Sequence, residues 1–153
     1  MRTPHEALER IYRDEADHLW RALLGYTGSP DVAAESVAEA FAQALGRGDA
    51  IRSVRSWVWT AAFKIAAGML SMRNSPPGVA VEGTTMLPEP VVDLVQALAR
   101  LPERQRLCVV MHDYADRSVG EVAAVLGITT PTVYAHLRQG RHRLRHLLEE
   151  VDA

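Results

Sequence analysis

Apolar residues along this chain recur every three or four positions, the period of helices with one buried face. Leu8, Ile11, Tyr12, Leu19, Ala22, Leu23 and Tyr26 mark a first helix from about Pro4 to Gly25, with Gly25 and Gly28 as its stop. Ser29-Pro30-Asp31 is a start signal: serine to cap, proline at the first helical position, an acid in the first turn. Ala33, Val37, Ala40, Phe41, Ala44 and Leu45 line the helix that follows, which Gly46-Arg47-Gly48-Asp49 breaks. A third helix begins near Ser53 or Ser56 and runs through Trp57, Ala61, Ile65 and Met69 to about Met72.

The pattern then lapses. Ser75 to Pro90 holds four of the eight prolines and two glycines without a helical stripe, and proline disfavours helix in the residue before it. This stretch reads as an extended linker. The fold class predicted is all-α: two small helical domains, 1–74 and 91–153, joined by a Pro/Gly-rich linker at 75–90. Val92, Val95, Leu98 and Ala99 open the second domain, and Leu107, Val110, Met111 and Tyr114 share a face after the Leu101-Pro102-Glu103 junction. Ser118-Val119-Gly120-Glu121 has the S-x-x-E form of a capping box.

From Glu121 to Val133 the pattern is a short apolar helix, the Gly127 turn, Ile128, and a second helix capped by Thr130 with Pro131 at its start. That sequence predicts a helix-turn-helix in the C-terminal domain. Ala123 is small where the helices cross, and Gly127 supplies a left-handed turn residue. On the second helix Val133, Leu137, Gly140, Leu144 and Leu147 or Leu148 face inward. Thr132, Ala135, His136 and Gln139 lie opposite, positioned to face a major groove. Tyr134, Arg138, Arg141, Arg143 and Arg145 flank them where phosphates would pass, and the free backbone donors at Thr132 and Val133 add an anion site.

Composition narrows the function. The 153 residues are 48% hydrophobic and 24% charged, the profile of a globular protein. The net charge of −2 excludes a uniformly basic nucleic-acid coat, yet Thr130 to Leu148 carries four arginines, three histidines and no acid. No apolar run approaches the roughly 20 residues of a membrane span, and the N-terminus lacks the apolar region of a signal peptide, so no membrane insertion and a cytoplasmic location are expected. Cys108 is the only cysteine and reads as a small buried hydrophobe. His142 and His146 lack a third ligand, so no metal, no cofactor and no enzymatic activity are expected. His112 and Asp113 carry no expected role beyond solvation and capping.

Ala97-Leu98-Ala99-Arg100-Leu101-Pro102-Glu103-Arg104-Gln105-Arg106 and the stretch from Glu121 to Arg145 resemble region four of bacterial extracytoplasmic-function sigma factors. Ala33 to Phe41 and Trp57 to Ala66 are similar to two helices of the same family's region two. The resemblance implies an alternative sigma factor that binds core RNA polymerase and directs it to promoter DNA. It implies that Glu35, Ala38, Glu39 and Phe41 dock on the polymerase, and that Arg52, Arg55, Trp59 and Lys64, with Trp57 as a further candidate, hold the minus-ten element. The last helix would then read the minus-thirty-five element. An anti-sigma factor is a further partner implied by the family.

Two side chains keep a plainer reading beside this one: Trp59 as core and Phe41 as packing between helices, while Trp57 reads mainly as core. The departures are concentrated in region two, where Glu35, Ala38, Lys64 and Gly68 replace the family's usual aspartate, glutamine, asparagine and aspartate; region four departs less, with His136 and Gln139 at positions where arginine is frequent. The alternative is therefore a sigma-like DNA-binding regulator whose region two makes other protein contacts and does not support initiation.

Overall fold

In a computed structural model, which describes residues 3–73 and 87–152, the chain is all-α, with seven α-helices and no strand among the described residues. They are α1 (Pro4–Thr27), α2 (Pro30–Arg47), α3 (Val54–Arg73), α4 (Glu89–Ala99), α5 (Glu103–Cys108), α6 (Val119–Leu126) and α7 (Thr130–Asp152). A single 3-10 turn, Gly48–Ala50, follows α2, and a π-helical segment, Val109–Tyr114, continues α5. Most of the expected linker, 75–86, lies outside the described residues. Its last part is helical instead: α4 opens at Glu89 with Pro90 in its first turn, where the missing N–H costs nothing.

Side-chain caps fix several ends. Thr3 and Glu6 form a full capping box, Glu6 N–H to Thr3 Oγ1 at 3.2 Å and Thr3 N–H to Glu6 Oε2 at 3.3 Å. The α1 helix runs two residues beyond Gly25, and Gly28, at φ +70°, closes it in the left-handed conformation. Ser29 Oγ then accepts the Val32 N–H and starts α2.

The helices α1, α2 and α3 pack around Leu19, Leu23, Val37, Ala40, Trp59 and Phe63. The C-terminal helices pack around Leu98, Leu107, Met111, Val122, Val133 and Leu137. These two sets are continuous in one apolar cluster, because α1 lies against α4 and the π-helical segment while α3 touches α6. Gly25 lies at this contact: a Cβ there would make ordinary van der Waals contact with Leu98 Cδ1, at 3.4 Å.

Polar groups pin the same junction. The Tyr26 hydroxyl donates to Glu103 Oε1 at 2.8 Å, and the Arg106 guanidinium, 2% exposed, lies 5.5 Å over the Tyr26 ring and donates to the Leu101 carbonyl at 3.2 Å. Burial, then the Glu103 hydrogen bond, raises the Tyr26 pKa, and burial lowers that of Arg106. Beside them Arg117 stacks 5.0 Å over Trp59, and His18 lies between the Trp59 and Tyr114 rings at 5.3 and 4.9 Å. Cys108 is fully buried as expected, and burial pushes its thiol up to about 11.

Replacing Tyr26 with phenylalanine removes the Glu103 bond and leaves the packing. Because Glu103 is exposed and can turn to water, a loss of about 1 kcal/mol is expected in chemical denaturation. An unchanged midpoint would mean that the bond contributes nothing to holding α5 on α1.

Candidate nucleic-acid interface

The helix-turn-helix is built from α6 and α7. Ser118 starts α6: its Oγ accepts the Glu121 N–H at 3.0 Å and faces Glu121 Oε1 at 3.3 Å. Gly127 closes the helix at φ +67°, and the Ile128 N–H donates to the Ala123 carbonyl at 3.1 Å. The cap of α7 is Thr129, one residue before the expected Thr130. Thr129 Oγ1 accepts the Thr132 N–H at 3.4 Å, and its carbonyl takes the Val133 N–H at 3.1 Å. Pro131 then occupies the second helical position, where an amide donor is still not required.

At 100° per residue the α7 side chains fall into three stripes. Val133, Leu137 and Gly140 are buried, with Leu144, Leu147 and Leu148 half-buried behind them. Thr132 and Gln139 are exposed, and Ala135 and His136 half-buried, on the expected groove-facing stripe. Tyr134, 60% exposed, shares the third stripe with Arg138, Arg141 and Arg145, while Arg143 sits beside the groove-facing one. Among the described residues Arg138, Arg143 and Arg145 make no ion pair, so their charge faces outward.

Two of these side chains are already engaged. Gln139 Oε1 accepts from the Gln105 amide of α5 at 3.1 Å, which leaves the Gln139 amide nitrogen to donate outward. Arg141 is held by Asp113 of the π-helical segment in a two-pronged pair, Nε to Oδ2 at 2.8 Å and a terminal nitrogen to Oδ1 at 2.5 Å. That bond raises the Arg141 pKa. Asp113 thus has a specific partner that its position in the sequence did not announce, because the two residues are 28 apart. His112 likewise has one, its Nδ1 lying 2.8 Å from the Arg117 carbonyl.

The N-terminal candidates are distributed differently. Glu35, Ala38 and Glu39 are exposed on α2, with Glu35 paired to Arg73 at 3.6 Å and Glu39 accepting from Gln43 at 3.0 Å. Phe41 is buried edge-on against Tyr12, and the two line an apolar groove with Leu8, Ala42 and Leu45. Arg52 and Lys64 are exposed. Arg55 is paired with Glu15, whose other oxygen accepts from Trp59 Nε1 at 2.9 Å. Trp59 is 1% exposed, so of its two readings the core one describes this arrangement. Trp57 is half-buried under Arg47 at 5.2 Å.

The His142 and His146 rings meet at 4.5 Å, but no group of three or more potential metal ligands occurs among the described residues. Nor is any helix there long and apolar enough to cross a membrane.

Gly140 seats α7 on α5. An alanine Cβ would lie 2.9 Å from Val109 Cγ2 and 3.3 Å from both the Cβ and the carbonyl oxygen of Gln105. Overpacking costs about 1–3 kcal/mol against a helix-propensity gain of about 1, and valine has little rotamer freedom with which to yield. Gly140→Ala is therefore expected to lower the thermal midpoint; a raised midpoint would show that α5 gives way freely.

Residues 92–144 match the family described as Sigma-70, region 4. No protein of curated function matches the chain in sequence. In structure it is similar to the sigma factor RpoE, solved in a co-crystal with the anti-sigma factor NepR from Bartonella quintana. The TM-score is 0.79 at 18% identity, over 92% of this chain and 96% of that one. It is also similar to CnrH, solved in complex with the cytosolic domain of CnrY, with a TM-score of 0.75 at 17% identity over 95% of this chain and 90% of that one. The resemblance to sigma factors drawn from the motifs thus holds in sequence over the C-terminal helices and in fold over nearly the whole chain. Residues 92–144 match the sigma-70 region 4 family in sequence, and nearly the whole chain shares the fold of the sigma factor RpoE and of CnrH.

Proposed function

We propose that this protein is an alternative sigma factor: it binds core RNA polymerase and places it on promoters by reading the minus-thirty-five element through α7. The observation that carries this reading is the coincidence of the region 4 match with a capped helix pair whose second helix presents the unpaired Arg138, Arg143 and Arg145. With α7 in the major groove, Thr132, Ala135, His136 and Gln139 meet base edges. Arg138 and Arg145 meet the phosphates on one side, and Arg143 and Tyr134 complete the rim.

In the same reading α2 offers the polymerase Glu35, Ala38 and Glu39 beside the groove bordered by Phe41. Arg52 and Lys64 offer charge to the minus-ten strand, whereas Trp59 and Arg55 join them only after leaving Glu15 and Arg117. The protein acts by binding rather than by catalysis and works in the cytoplasm, where polymerase and promoters are. The likeness to RpoE, solved with an anti-sigma factor, supports such an antagonist as a further partner.

A second reading, a regulator that binds duplex DNA without supporting initiation, is favoured by the burial of Trp59 and the loss of a polar group at Ala38. Run-off transcription separates the two. Purified protein is added to bacterial core polymerase on DNA selected by the protein–core complex. Transcripts that require the protein are expected; duplex binding without core association or transcripts would overturn the sigma-factor reading.

On duplex DNA, Arg138→Ala is expected to weaken binding to all sequences and to flatten the slope of log K against log salt by about 0.9. His136→Ala is expected to change base preference more than total affinity, measured by selection from a random duplex pool. Identical behaviour of the two variants would contradict the assignment of the stripes.

A further inference from the structure

The stripe formed by Tyr134, Arg138, Arg141 and Arg145 carries no acid of its own, since α7 has none before Glu149. One carboxylate nevertheless reaches it from another element. Asp113 projects from the π-helical segment and takes the Arg141 guanidinium with both oxygens, in the planar fork-to-fork geometry that an arginine also uses for a phosphate. Arg141 remains 48% exposed and Asp113 32% exposed, so the pair is wet and exchangeable rather than a fixed part of the core. An exposed ion pair contributes at most about 1 kcal/mol to stability. Its larger consequence is for what Arg141 can bind next.

We propose that Asp113 is a built-in competitor of DNA phosphate: its carboxylate occupies the Arg141 guanidinium in the free chain and so withholds one of three aligned arginines from the duplex backbone. The inference rests on the reading of α7 as a DNA-binding helix. It does not need any particular promoter sequence, because phosphate contacts are sequence-independent. A duplex that uses Arg138 and Arg145 must either displace Asp113 or leave Arg141 paired. In both cases Asp113 lowers the affinity, and where Arg141 stays paired it also lowers the number of counterions released.

The test is a double-mutant cycle on the full chain, read by fluorescence anisotropy with a labelled duplex of arbitrary sequence between 50 and 200 mM salt, a range suited to counterion-release slopes. Asp113→Asn keeps the shape and removes the charge. It is expected to raise affinity about threefold to tenfold at the low-salt end and to steepen the slope by about 0.9, the release expected for one further phosphate. The same substitution in an Arg141→Ala background is expected to change neither. Asp113→Ser repeats the comparison with a different shape, and circular dichroism confirms that each variant folds.

An equal gain in both backgrounds would mean a general charge effect and would overturn the proposal, as would no gain in either. Failure of the parent reading looks different. If the unmodified protein binds no duplex, or Arg138→Ala leaves binding unchanged, the DNA-binding assignment of α7 falls, and the proposal with it.

Discussion

A guanidinium removed from water costs several kcal/mol unless its surroundings return the lost interactions. Arg106 is removed from water where α5 meets α1, and the Tyr26 ring, the Leu101 carbonyl and the nearby Glu103 carboxylate compensate it together. Its Nε finds no partner, so the compensation is incomplete and depends on the ring staying in place. That requirement ties the end of α1 to the start of α5 across about half of the chain. Once α5 is fixed there, the π-helical segment lies on α1, Gly140 seats α7 against Val109 and Gln105, and α6 comes to rest on α3.

The placement decides which surfaces face water. Arg138, Arg143 and Arg145 of α7 are exposed outside the junction, while Arg141 and Gln139 are already held by Asp113 and Gln105. Trp59 points into the junction, under Arg117 and bonded to Glu15, with His18 wedged against its ring. The arrangement is therefore asymmetric: the α7 surface proposed to meet a duplex stands open while Trp59, an aromatic group of the kind that stacks on bases, is closed. In the sigma-factor reading the two are used together only once Trp59 leaves Glu15 and Arg117. That departure costs the stacking of Arg117 on Trp59, which a larger partner would have to replace with contacts of its own.

Much of this was legible from short-range pattern. Helix faces, the Ser29 start, the Gly127 turn and the inward stripe of α7 all depend on residues within one or two turns of each other, and periodicity records such relations. The errors at α4 and at the α7 cap are of one kind. Proline is compatible with the first helical positions generally, so Pro90 read as linker and Pro131 read as the first position were each displaced by a residue or two. The Thr3–Glu6 box carries the same signal in its T-x-x-E spacing as the S-x-x-E at Ser118. What the pattern does not carry is distance in sequence. Tyr26 and Glu103 are 77 residues apart, Trp59 and Glu15 are 44, Arg141 and Asp113 are 28, and no local rule pairs them. Nothing local therefore marks Arg106 as buried, and Asp113 reads as a residue for solvation and capping.

The central claim, an open α7 surface beside a closed Trp59, is tested most directly by comparing duplex and single-stranded DNA of the same length on the free protein. Anisotropy titrations at one low salt concentration are sufficient. The account predicts that the duplex binds and that the single strand binds at least tenfold more weakly, about 1.4 kcal/mol, because α3 offers it no exposed aromatic platform beyond half-buried Trp57. Single-stranded DNA bound as tightly as duplex, with Trp59 fluorescence responding, would contradict it.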